Sequence, residues 1–151
     1  DDFLASYRER RLNELKEEAS KPLFGSLRRD ATKDDYLAAI AVPRVVVVVH
    51  LHEPRHPACS RLEDILAVLA TRRKDISFLS MTLDEAGQTF DRDVLPVLAL
   101  YKDGDIVDSL FCVTNDLDVL SEHDDLERLI DTSAAFAKQG DDVPGVVAQV
   151  F

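Results

Sequence analysis

His56-Pro57-Ala58-Cys59 sets an imidazole three residues ahead of a thiol, where a loop containing Pro54 and Pro57 gives way to a helix. A thiol at a helix start lies at the positive end of the helix dipole, which favours thiolate, and a neighbouring imidazole assists. The chemistry open to this pair is that of one thiol: redox sensing or exchange with glutathione. The simpler reading is that Cys59 is a small apolar residue packed under the loop, because free cysteine usually behaves as a buried hydrophobe. The only other cysteine, Cys112, is far away in sequence, and two such residues form no spaced framework. Cysteine usage of this kind suits a reducing, cytoplasmic setting.

His50 and His52, at i and i+2, share one face of a strand, and with His56 and Cys59 they invite a metal reading. Their spacing matches none of the common zinc patterns, so no metal is expected. Other catalytic patterns are missing from the sequence: it has no Gly-rich phosphate loop, no nucleophile elbow and no His-Glu-x-x-His. Asp84-Glu85 and the cluster Glu122, Asp124 and Asp125 are more simply helix N-terminal charges than paired catalytic acids. The expectation is a non-enzyme without cofactors.

The formal net charge of −11 over 151 residues repels phosphate backbones, and no Lys/Arg stripe is interleaved with aromatics. Nucleic acid is therefore a poor partner, whereas a basic protein surface suits this charge. Hydrophobic residues make up 46%, enough for a core. The longest apolar run, Val45 to Val49, is strand-sized and far short of the ~20 residues that cross a bilayer. No secretory signal is read, and a first residue of Asp1 in place of Met fits a piece of a longer protein.

Elements able to position these groups follow in order. Asp2 to Ala19 is charged and helix-forming, with Phe3, Leu4, Tyr7, Leu12 and Leu15 spread over half the helical wheel. It is either a surface helix packed on its own domain or a partner-binding arm. Thr32 caps a helix whose Tyr36, Leu37 and Ile40 face the core, and Pro43 ends it. The unbroken β-branched run from Arg44 to His52 predicts a strand buried on both faces with a parallel neighbour. Ser60 to Glu63 reads as a capping box, followed by Leu62, Ile65, Leu66 and Leu69 at helical spacing. Arg72, Arg73 and Lys74 close this helix, and Ile76 to Leu83 alternates as a second strand, completing a right-handed β-α-β crossover. Asp84 to Phe90 is a short helix or turn. Val94 to Tyr101 and Ile106 to Val113 then form a hairpin about Asp103-Gly104. Ser121 caps a last helix buried through Leu126, Leu129 and Ile130 and ending near Phe136. The expected division is a helical arm over 1–25, an α/β domain over 26–136 and a flexible tail over 137–151.

Several stretches resemble the phosducin-like proteins, a branch of the thioredoxin-like superfamily. They are Tyr7-Arg-Glu-Arg-Arg-Leu-Asn-Glu-Leu15, Phe24-Gly25, Val47-Val-Val-His-Leu51, Asp93-Val-Leu-Pro-Val-Leu98, Tyr101-Lys-Asp-Gly104 and Val113-Thr114. The last segment leans toward the phosducin and phosducin-like protein 1 branch. The resemblance implies a thioredoxin-like mixed sheet with helices on both faces, and a cis Leu95–Pro96 bond. A working thioredoxin carries Cys-x-x-Cys in the loop before the helix. Here His56 stands at the attacking position, so dithiol exchange is excluded by stoichiometry. The family binds G-protein βγ dimers, and several members assist the cytosolic chaperonin in folding Gβ and other clients. Relatives carry a separate N-terminal helical region, of which this chain has only the last helix-like arm. Contact through Phe3, Tyr7, Leu12 and Leu15 is the expectation for that arm. Alternatives are a single-thiol redox sensor or oxidoreductase using Cys59, and an adaptor for cytoskeletal-protein folding.

Overall fold

A computed structural model describes residues 2–19 and 24–136, with the side chains of 17–19 excepted. The 137–151 tail lies outside the described residues. Along the described residues run α1 (Asp2–Ala19), β1 (Leu27–Arg28), α2 (Lys33–Ile40), β2 (Val46–His52), α3 (Pro57–Arg72), β3 (Ser77–Thr82), α4 (Leu83–Ala86), β4 (Val97–Lys102), β5 (Asp105–Leu110) and α5 (Glu122–Asp131). Single 3-10 turns cover Arg92–Val94, Val113–Asp116 and Ala134–Phe136.

The sheet runs β1-β3-β2-β4-β5. β1, β3 and β2 are parallel, and β4 pairs antiparallel with both β2 and β5. The valine run holds the centre, and Val46 to Leu51 are all buried, so both faces of β2 are covered. Even positions Val46 and Val48 join Leu62, Ile65, Leu66, Leu69, Leu126 and Ile130 beneath α3 and α5. Odd positions Val45, Val47, Val49 and Leu51 join Tyr36, Leu79, Met81, Ala86 and Tyr101 on the opposite face. Period-2 geometry thus divides one strand between two cores. Each fully buried leucine of α3 contributes about 1.5–3 kcal/mol of burial.

Helices α3 and α5 are clamped together by charge. Arg61 bonds Glu122 at 2.9 Å, Arg72 bonds Asp124 at 2.9 Å, and Arg73 reaches Asp131 at 2.6 Å. Arg72 and Arg73 therefore do more than complement their own helix end. They hold the neighbouring helix.

Several expectations are corrected. Leu37 is 48% exposed, because α2 covers the sheet with Tyr36 and leaves Leu37 on its outer flank. α3 begins a turn before the Ser60 capping box: His56 is the N-cap, Pro57 follows, and the Ser60 N–H donates to the His56 carbonyl at 3.0 Å. β3 is buried on both faces along Ser77 to Met81, so its apparent alternation is not an inside–outside pattern. β5 stops at Leu110, where the chain turns at Cys112 with φ near +50°. Ser121 sits at the N-cap position but makes no side-chain cap bond; its hydroxyl donates to Asp125 at 3.0 Å instead. α5 ends at Asp131, short of Phe136. The two-residue strand β1, absent from the expected order, is too short to show any periodicity.

Candidate functional site

The loop ends of β2 and β3, the start of β4 and the end of β5 lie along one edge of the sheet, as the registers Leu51↔Val97, His52↔Thr82 and Leu98↔Leu110 require. The 53–56 loop stands there. His56 Nδ1 accepts the Cys59 N–H at 3.4 Å, and His56 Nε2 lies 3.2 Å from the Arg92 carbonyl. A carbonyl only accepts, so the ring proton belongs on Nε2. His56 thereby caps α3 and ties its start to the Arg92–Val94 turn. Both ring nitrogens are spent on backbone groups, so neither is placed as a base for a thiol. Beside it, Arg92 pairs with Glu53 at 2.9 Å.

Cys59 is buried, 3% exposed, in the core cluster that holds Tyr36 and Met81. Burial pushes its thiol up, and a backbone hydrogen bond at Glu53 only partly offsets this. Burial is the largest influence, and it favours the protonated thiol. In a Cys112→Ser background, iodoacetamide at pH 7.5 should modify Cys59 at least about tenfold more slowly than free cysteine. A rate equal to free cysteine would return the residue to the reactive class.

The Leu95–Pro96 bond is cis. Around it the Cys112 N–H donates to the Val94 carbonyl at 2.9 Å, and Cys112 Sγ donates to the Asp93 carbonyl at 2.7 Å. Cys112 is thus engaged with the turn before Pro96, a role that sequence spacing did not signal.

His50 and His52 stand on the α3 face of β2 with ring centroids 5.1 Å apart. His50 is fully buried, and neither ring nitrogen has a partner among the described residues. Ser80, its register neighbour on β3, also buries a hydroxyl without a partner among them. Desolvation, reinforced by His52, pushes His50 down to about 3. The imidazole is neutral. Among the described residues no three His, Cys, Asp or Glu side chains gather as metal ligands, so His50, His52, His56 and Cys59 do not converge on a site.

At the far end of the chain α1 exposes every described side chain from Asp2 to Lys16. Phe3, Tyr7, Leu12 and Leu15 are 72%, 50%, 53% and 46% exposed, which removes the reading of a helix packed on its own domain. Sequence reasoning passed over Val119 and Leu120, whose loop before α5 also holds them out in solvent.

A five-strand mixed sheet with helices on both faces and a helix opening directly after the 53–56 loop define the thioredoxin-like class. Solved structures agree. Thioredoxin f from spinach chloroplast, long form, superposes with a TM-score of 0.56 at 18% identity over 76% of this chain and 90% of that one. A mutant thioredoxin from Halobacterium salinarum gives 0.54 at 18% identity over 75% and 95%. Within that class, the phosducin family model matches residues 1–136, and the chain belongs to the phosducin family. A phosducin-like protein of Schizosaccharomyces pombe is 35% identical over 108 residues, 70% of this chain and 46% of that protein. Human phosducin-like protein is 25% identical over 122 residues, 78% and 40%, and bovine phosducin 27% over 119, 76% and 49%. The chain spans less than half the length of these relatives.

Proposed function

We propose that the chain is a non-catalytic, protein-binding module of a cytoplasmic phosducin-like protein. On this reading it engages the G-protein βγ dimer, the cytosolic chaperonin with its folding clients, or both. The single observation that carries the reading is the state of the old redox loop: His56 occupies the attacking position as a helix cap, and Cys59 is buried and protonated. Family membership supports protein partners as a class. The arm over 1–25 is the contact element, the domain over 26–136 its scaffold and 137–151 a tail.

Because the apolar side chains of α1 are exposed, removing them leaves the folded domain intact and tests contact alone. Replacing Phe3, Tyr7, Leu12 and Leu15 together by alanine should weaken binding to purified Gβγ or purified chaperonin by about tenfold or more, read by surface plasmon resonance. Thermal unfolding should not move. Unchanged affinity for a partner that the parent chain binds would remove the arm as the contact element. Binding of chaperonin without Gβγ would assign the module to folding and not to signalling.

A further inference from the structure

The chain leaves β2 toward α3 on one face and leaves β3 toward α4 on the other, as the two core clusters record. Two parallel neighbours whose connections diverge leave a crevice beyond their carboxyl ends, the position where open α/β sheets hold ligands. Such a crevice is present here, about 590 Å3 in volume. His52, Glu53 and Pro54 form one wall, Thr82, Leu83 and Asp84 the other, and the segment from Gln88 to Arg92 closes it. Its size is that of pockets that take small groups.

The lining has a particular chemistry. Three carboxylates, Glu53, Asp84 and Asp91, line the crevice together with one guanidinium, Arg92, which is committed to Glu53 at 2.9 Å. Asp91 stands at the N-cap of the 92–94 turn yet makes no side-chain cap bond, and Asp84 has no side-chain partner among the described residues. Two carboxylates are therefore left over. Phe90 supplies an aromatic wall, held edge-on against Phe111 with centroids 6.1 Å apart. Carboxylates beside a fixed aromatic face suit a planar cation, which takes two charge-assisted bonds at its edge and stacks through its face. The net charge of −11 draws such a group in.

We propose that this crevice is a docking site for an arginine side chain presented by a protein partner. Neither α1 nor Cys59 lines the site, although Glu53 and Arg92 of its lining also neighbour the thiol, and it does not depend on which protein the arm engages.

The test uses the full chain and a short peptide, acetyl-Gly-Arg-Gly-amide, with the citrulline peptide as its uncharged isostere. In amide NMR at low salt, the arginine peptide should shift Thr82, Asp84, Phe90 and Asp91 saturably, and the citrulline peptide should not. The Asp84→Asn/Asp91→Asn variant should weaken the interaction roughly tenfold, and Phe90→Leu should weaken it with both carboxylates kept. Equal shifts at the acidic start of α5, equal response to citrulline, or no saturable shift would each overturn the proposal. Loss of Gβγ or chaperonin binding in the α1 variant leaves this result unchanged, so the two readings fail separately.

Discussion

Replacing His50 by leucine is expected to flatten the acid limb of the stability curve. The imidazole is fully buried, lacks a partner among the described residues at either nitrogen and is pushed down to about 3 in the folded chain, against 6.5 when exposed. Burial depresses it, so the unfolded state binds a proton first as pH falls below 6.5. Stability is thus fully present above 6.5 and is lost progressively down to the folded value. Well inside that window each pH unit costs about 1.4 kcal/mol, so roughly 2.5 kcal/mol disappears between pH 7 and pH 4.5. Leucine fills a similar volume and carries no proton. Asp35 and Asp125, both held below the usual carboxylate range by backbone N–H groups, are lost in parent and variant alike and cancel in the comparison. Urea unfolding at pH 7 and pH 4.5 reads the difference directly. Parallel losses in the two proteins would show that His50 is not the group responsible.

Restoring a thiol with His56→Cys should produce the opposite kind of change, a gain. A Cys-Pro-Ala-Cys spacing would then stand at the start of α3. At position 56 a thiolate attacks an insulin disulfide, breaks its S–S bond and forms a mixed disulfide. The Cys59 thiol then loses its proton and attacks that bond, releasing the second insulin thiol and closing an internal disulfide, which dithiothreitol reduces. Turnover should rise at least about tenfold above the parent, whose loop holds one buried thiol. The same substitution removes the α3 cap and should cost about 1 kcal/mol of stability. Adding Cys59→Ser should abolish the gain. Background turnover in a folded His56→Cys variant would mean that the loop had lost the geometry along with the residue.

The order of the domain is readable because its strongest signals are local. Five consecutive valines admit little but a strand covered on both sides, and Leu62, Ile65, Leu66 and Leu69 repeat at a spacing that only a helix buries together. What escaped depends on neighbours that are distant in sequence. The start of α3 is displaced because an imidazole does the capping, and the pattern of serine and glutamate nearby mimics a start that the backbone does not use. Leu37 faces outward because Tyr36 meets Tyr101, its ring 5.2 Å away in space and far along the chain. The candidate site divides in the same way. The loss of the attacking thiol is visible from four residues. That Cys59 is sealed in the core with Tyr36 and Met81, and that His56 Nε2 meets the Arg92 carbonyl, follows only from segments distant in sequence.

The two bonds of His56 also bear on the history open to this loop. A residue that merely filled a vacated position would leave the way back to a dithiol unobstructed. This one secures the first turn of α3 and the approach to Pro96 at once, so a single reversion gives up two anchors before it gains any catalysis. Selection on folding alone would then oppose a cysteine at position 56.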